Sequence, residues 1–258
     1  MGYWQDRMAA AQSKLTNKSI KQVEKQLQKY YSRTMNQVIA DFEAVYNKIE
    51  LQRAEGKQVT PADLYKLDKY WHMQGQMQAA LEKLGNRQAR ILGNAFVANF
   101  FDIYYSINLN GLKAYTTIDT AAAKQMVNQI WCADGKSWSQ RIWDNTKRLA
   151  ETLNDELISC VVSGKKTTEL KKKLQERFGV SYSAADSLVR TEMAHIQTQA
   201  AKQRYEDYGI QQVEIWADPD ERTCEICGDL HKKIYPVGAA IPIPAHPRCR
   251  CCIVPVVD

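Results

Sequence analysis

The chain has 258 residues, 45% of them hydrophobic and 25% charged, with a formal net charge of +6. That length admits one or two domains with ample material for a core, and that balance excludes a disordered tail. Met1-Gly2-Tyr3-Trp4-Gln5-Asp6 has neither the basic and apolar regions of an export signal nor the Ser or Thr of a myristoylation signal at position 6. The most apolar stretch, residues 91–107, is interrupted by Asn94, Asn99 and Asp102, so neither export nor a membrane span is expected.

From Ile20 the apolar residues run Ile20, Val23, Leu27, Tyr31, Met35, Val38, Phe42, Val45 and Ile49. The mean step is about 3.6 residues, the period of an α-helix. One long helix on the order of 45 Å is expected there, with a single apolar stripe that later helices or a neighbouring subunit must cover. Glu55-Gly56-Lys57-Gln58 breaks it, and Thr60-Pro61-Ala62-Asp63 restarts helix with a cap, a proline in the first turn and an acid. A second helix is expected over about 61–84, with a stop or bend at Gly85-Asn86. A third, over 87–107, is crowded with Phe96, Phe100, Phe101, Tyr104 and Tyr105, a stripe that reads as core or subunit contact.

Asn108 to Gly111 has turn chemistry, and Asp119-Thr120 suits the start of a helix reaching Ile130. After a turn between Trp131 and Trp138, helices are expected at about 138–162, 168–178 and 184–208. Gly164, Gly179 and Gly209 stand where left-handed residues end helices, and Ser183 to Asp186 has the form of a capping box. Lys165, Lys166, Lys171, Lys172, Lys173 and Arg177 give the middle of this region a basic face, either simply solvated or directed at phosphates or an acidic partner. Beyond Gly209 the texture changes to alternation, with strands expected at 211–216, 233–235 and 253–257.

The same C-terminal stretch carries the chemistry. Cys224-x-x-Cys227 is followed by His246-Pro-Arg-Cys249-Arg-Cys251-Cys252. Two donors separated by two residues can face one ion, and a second such pair closes a tetrahedron, as in structural zinc sites. In a reducing cytosol these thiols favour metal over disulfides. Cys132 and Cys160 stand alone and read as small core residues. Zinc binding energies of roughly 10–16 kcal/mol would offset the small core of so short a β-rich module.

Arg190-Thr191-Glu192 on a helix, then Trp216, then Asp220 to Cys227, then Pro244 to Cys251, resembles the phage Mu F-like head morphogenesis family of minor head proteins; the similarity reads strongly over 131–255. The resemblance implies a virion protein made in the host cytoplasm and placed inside the head near the portal, acting in assembly, DNA packaging or delivery. It implies zinc ligands among Cys224, Cys227, His246, Cys249 and Cys251, one donor more than a tetrahedron needs. The spacing favours the first four, with Cys251 as the substitute and Cys252 directed away. Arg190 and Glu192 are expected to tie their helix to the zinc module by charge-assisted hydrogen bonds, although Glu192, His195 and Gln199 also share one helix face on which an acid and base pair could sit.

The expected architecture is mainly α: an extended helical region over 1–115 for portal contact or self-association, a helical region over 116–209, and a separately folded α+β zinc module over 210–258. Expected partners are the portal protein, the major capsid or scaffold protein, and packaged double-stranded DNA. Binding rather than catalysis is expected. A zinc-finger nuclease of the His-Asn-His type is the enzymatic alternative and would have to use His231, which has no Asp-His pair beside it; a nucleic-acid-binding adaptor is the other.

Overall fold

A computed structural model describes residues 3–109, 117–217 and 220–257. The elements, in chain order, are α1 (Tyr3–Ala54), α2 (Pro61–Tyr65), α3 (Asp68–Ser106), α4 (Thr120–Val127), α5 (Trp138–Val162), α6 (Thr167–Asp207), β1 (Gln212–Trp216), α7 (Glu225–Leu230), β2 (Ile234–Pro236) and β3 (Cys252–Pro255). The protein is therefore mainly helical with a small C-terminal sheet. Asn110 and Gly111 of the expected turn, and the 115/116 boundary, lie outside the described residues.

The long first helix is present but starts well before Ile20. At 52 residues α1 is about 78 Å long. The expected division of 61–107 at Gly85 does not occur. Helix 2 ends after five residues at Tyr65, and α3 then runs unbroken for 39 residues through Gly85 and Asn86. Glycine is needed at 85 for space, because a Cβ there would stand 2.7 Å from the Trp143 ring. Likewise, the two helices expected at 168–178 and 184–208 are one, α6, so neither Gly179 nor Ser183 marks a boundary. Gly164 and Gly209 do end their helices, with φ of 61° and 74°. Each is followed by a six-to-one closure, Lys165 N–H to Cys160 O at 3.1 Å and Ile210 N–H to Tyr205 O at 3.0 Å.

The chain divides into two compact units, each assembled from separate stretches. One comprises residues 25–90 and 139–185. Its interior contains Leu27, Val38, Phe42, Val45 and Ile49 from α1, together with Leu81, Leu149, Leu153, Leu157, Leu170 and Leu174. The apolar stripe of α1 is thus buried rather than presented to another molecule. Tyr46 donates to the carbonyl oxygens of Cys160 at 2.8 Å and Lys165 at 2.6 Å, which closes the α5–α6 corner. Glu50 caps the first turn of α6 by accepting from the Thr167 N–H at 3.0 Å and its hydroxyl at 2.6 Å.

The other unit comprises residues 1–24, 91–138 and 186–258. Its sheet has the order β2-β1-β3, antiparallel throughout, with Val213 opposite Tyr235 and Ile215 opposite Ile253. Every residue of β3 is buried. The sheet does not close its own core. Gln12 of α1 donates to Ile253 O at 3.1 Å and to the Tyr205 hydroxyl at 3.1 Å, and Tyr205 donates to the same carbonyl at 3.2 Å. Ala9 packs with Trp216, Cys252 and Val254. The last fifty residues therefore fold onto α1 and α6 rather than apart from them. In the aromatic region of α3, Phe96, Phe100 and Tyr104 are buried while Tyr105 is exposed, and Phe96 meets Trp138 edge-on at 5.4 Å.

Candidate metal centre

Two tight turns bring the donors together. Cys224 caps α7, and the Gly228 N–H bonds back to its carbonyl at 2.9 Å, so one helical turn separates Cys224 from Cys227. The second turn closes with the Cys249 N–H on His246 O at 3.2 Å and passes through Arg248 with φ of 63°, a left-handed conformation that a non-glycine residue adopts at a cost of about 1 kcal/mol or more. Arg248 is held there from both sides. Its N–H donates to the Thr191 hydroxyl at 3.1 Å and its guanidinium meets Asp186 at 2.8 Å.

His246 Nε2 lies 3.3 Å from Cys224 Sγ and 3.1 Å from Cys227 Sγ, and Cys227 Sγ lies 3.7 Å from Cys249 Sγ. Bonds of about 2.3 Å to sulfur and about 2.05 Å to nitrogen would give tetrahedral edges of about 3.7 Å between sulfurs and about 3.5 Å between sulfur and nitrogen. The sulfur–sulfur separation matches, and the two sulfur–nitrogen separations are about 0.2 and 0.4 Å shorter than the tetrahedral edge. His246 Nδ1 faces its own Pro247 carbonyl at 2.8 Å, the outer contact that leaves Nε2 as the ligand atom. The donors form two triads sharing Cys227, one with Cys224 and His246, the other with Cys249 and Cys251. Sequence spacing ranks Cys251 as a substitute, whereas here it is a buried member of the cluster. Cys252, in β3, belongs to neither triad.

The thiols of the cluster are shifted from their ordinary values in opposite directions. The Cys249 thiol is held down at about 5, chiefly by a hydrogen bond from Cys251, whose own ionisation is pushed up by the same contact. Burial pushes Cys227 up to about 12, and the Cys227 backbone N–H draws Cys224 down. The Pro247 carbonyl raises His246. The contact between Cys249 and Cys251 thus favours ionisation of the first and opposes that of the second, and a bound cation would favour the thiolate form of both. The residues present fit a metal ion.

The other residues singled out by sequence lie as follows. Arg190 reaches Glu24 and Asp186, and Glu192 accepts the Trp131 indole N–H at 3.0 Å. Thr191 and Asp186 join the same helix to the cysteine module through Arg248. Their short side chains gave no signal of this in the sequence. His195 stacks on Trp131 at 4.3 Å with the rings 8° apart, and burial lowers its pKa to about 4. His231 accepts the Ala217 N–H at Nδ1, 3.2 Å away, and meets Trp216 edge-on.

In the basic segment, Lys173 and Arg177 both bind the buried Glu156, at 2.6 Å and 2.5 Å, and Lys171 meets Glu43 at 3.6 Å. Lys166 and Lys172 are exposed, and Lys165 is half-buried.

Fold and site together define a class: a mainly helical protein whose C-terminal sheet carries a cysteine and histidine knuckle suited to a metal. Residues 151–254 match the family model described as Phage Mu protein F like protein, and this stretch contains the end of α5, all of α6, the sheet except Pro255 and every donor of the knuckle. The residues from Arg190 to Cys251 that carry the resemblance all fall inside this match. Neither the curated proteins nor the solved structures contain a match to the chain. Among the described residues, no helix is long and apolar enough to cross a membrane.

Proposed function

We propose that the chain is a minor head protein of a phage virion, acting by binding inside the head near the portal, and that its knuckle holds one structural zinc ion. The observation that carries the reading is the match of residues 151–254 to the Phage Mu protein F like family, spanning the whole cysteine and histidine cluster. Zinc is favoured over harder cations because all five candidate donors are sulfur or imidazole nitrogen. A structural role is favoured because the cluster supplies enough protein donors to fill a tetrahedron with no open position.

A portal contact would use residues left outside the core. The exposed Tyr65 and Trp71, whose ring centroids lie 6.0 Å apart, form the apolar group best suited to it. Contact with packaged DNA on this segment would fall chiefly to Lys165, Lys166 and Lys172, since Lys173 and Arg177 are directed onto the buried Glu156. The nuclease alternative has less support, because His231 is engaged with the Ala217 N–H and Trp216.

Metal analysis of the purified chain tests the zinc reading. About one zinc per chain is expected, lost in Cys224→Ser, and a metal-free wild type would refute it. Co-purification of the chain with a portal ring, lost on Trp71→Ala, tests the binding role; no association of the wild type with portal rings would refute it.

A further inference from the structure

Beside the knuckle lies a cleft of about 500 Å³ whose lining includes Arg190, Arg222, Arg248 and Arg250 and no carboxylate among the described residues. The arginines form two pairs, each anchored on an aspartate. Asp186 holds Arg190 at 3.3 Å and Arg248 at 2.8 Å, Asp220 holds Arg222 at 2.9 Å and Arg250 at 2.7 Å, and Arg190 also meets Glu24, so three carboxylates hold four guanidinium groups. Anchoring of this kind fixes the guanidinium groups before any ligand arrives, so little side-chain entropy remains to be lost on binding.

Two further lining residues, Thr16 of α1 and Gln197 of α6, are only 5% and 3% exposed, yet Thr16 Oγ1 and Gln197 Nε2 have no hydrogen-bond partner. A buried donor without a partner costs about 1–3 kcal/mol, which a ligand able to accept from both would recover. A hydroxyl, an amide N–H and four guanidinium groups are a donor set for an oxyanion. Among the described residues the one ring that lines the cleft is the imidazole of His246, a candidate metal donor, so recognition would rest chiefly on charge and oxygen geometry. The volume is in the range of small-molecule sites and well above that of a single phosphate.

We infer that this cleft binds linked phosphates through Arg190, Arg222, Arg248 and Arg250, with Thr16 and Gln197 as neutral donors. The linked phosphates come either from a free polyphosphate or from a nucleic-acid backbone. The inference does not depend on the role of the chain at a portal, since it rests on the donors of the cleft itself.

The test is calorimetric titration of the full chain with inorganic tripolyphosphate and, separately, with a short DNA strand, comparing wild type with Thr16→Val/Gln197→Leu and with Arg222→Ala. Hydrogen bonds to charged groups contribute about 1.5–3 kcal/mol, so the double variant should weaken binding by about tenfold or more. Its melting temperature should be unchanged or higher, because two unpaired buried polar groups are removed. Arg222, largely exposed, should lower affinity without altering folding. Binding of tripolyphosphate alone assigns the site to free phosphates, and binding of the strand with the same sensitivity assigns it to a nucleic-acid backbone. Saturation by neither probe at millimolar concentration overturns the inference, as does binding of either that the double variant leaves unchanged.

Discussion

Gly85 and Gly179 have the same local sequence appeal as helix breakers, sit inside helices of the same compact unit, and should respond oppositely to alanine. At Gly179 a Cβ meets nothing within 4 Å. Gly179→Ala should therefore stabilise by about 0.5–1 kcal/mol, the difference in helix propensity and backbone entropy. At Gly85 the same gain is opposed by the Trp143 ring, with one ring carbon 2.7 Å and a second 3.1 Å from the added Cβ. Overpacking of that kind costs about 1–3 kcal/mol, reduced here because Trp143 is 38% exposed and its outer ring can tilt. The net expectation for Gly85→Ala is a loss of about 1 kcal/mol. Thermal denaturation of both variants beside wild type reads the difference, with about 1 kcal/mol corresponding to roughly 2–4 °C. Because the two glycines share a unit, the same transition reports both. Equal stabilisation by the two alanines would refute the space argument, and destabilisation by Gly179→Ala would refute the assignment of α6 as one helix.

His195 titrates at about 4 in the folded chain against an ordinary 6.5, so between those values the unfolded chain takes up the proton and the folded chain does not. Stability should fall by about 2 kcal/mol between pH 7.5 and pH 5 through this residue, a dependence that His195→Phe should remove in chemical denaturation; an unchanged pH slope would contradict it. Glu156 has its pKa lowered by Lys173 and Arg177 once burial is overcome, so its contribution is present above the unfolded value and is lost as the pH falls through the folded one. Glu156→Gln at neutral pH should cost about 2 kcal/mol after allowance for the partial exposure of both cations, and a cost near zero in denaturant titration would show that the pair is fully screened. Tyr205→Phe removes one of two donors to Ile253 O and should cost about 1 kcal/mol, with faster amide exchange in β3 as the specific readout; exchange altered only outside β3 would contradict the role assigned to Tyr205.

How much was legible depends on the range of the interaction involved. The long helix through Ile20 to Ile49 was readable because a repeat of apolar residues needs no knowledge of what covers it, and Trp138 to Val162 was readable to the residue. Gly164 and Gly209 were readable as stops, while Gly85 and Gly179 were misleading. Glycine permits a left-handed turn without requiring one, and the decision lay with Trp143 and with the continuity of α6.

The sequence alone set out the donors of the candidate metal site. The spacings Cys224 to Cys227 and His246 to Cys249 each fit one turn of chain, and that local geometry holds whatever the rest of the fold does. Only the tertiary structure decided which distant groups meet: Cys251 inside the cluster, Thr191 and Asp186 gripping Arg248, Gln12 capping Ile253 across 241 positions of sequence, and four arginines gathered around two buried unpaired donors. Contacts of that kind depend on how helices cross and on which side chains reach across, and a linear pattern encodes only which face of each helix is apolar.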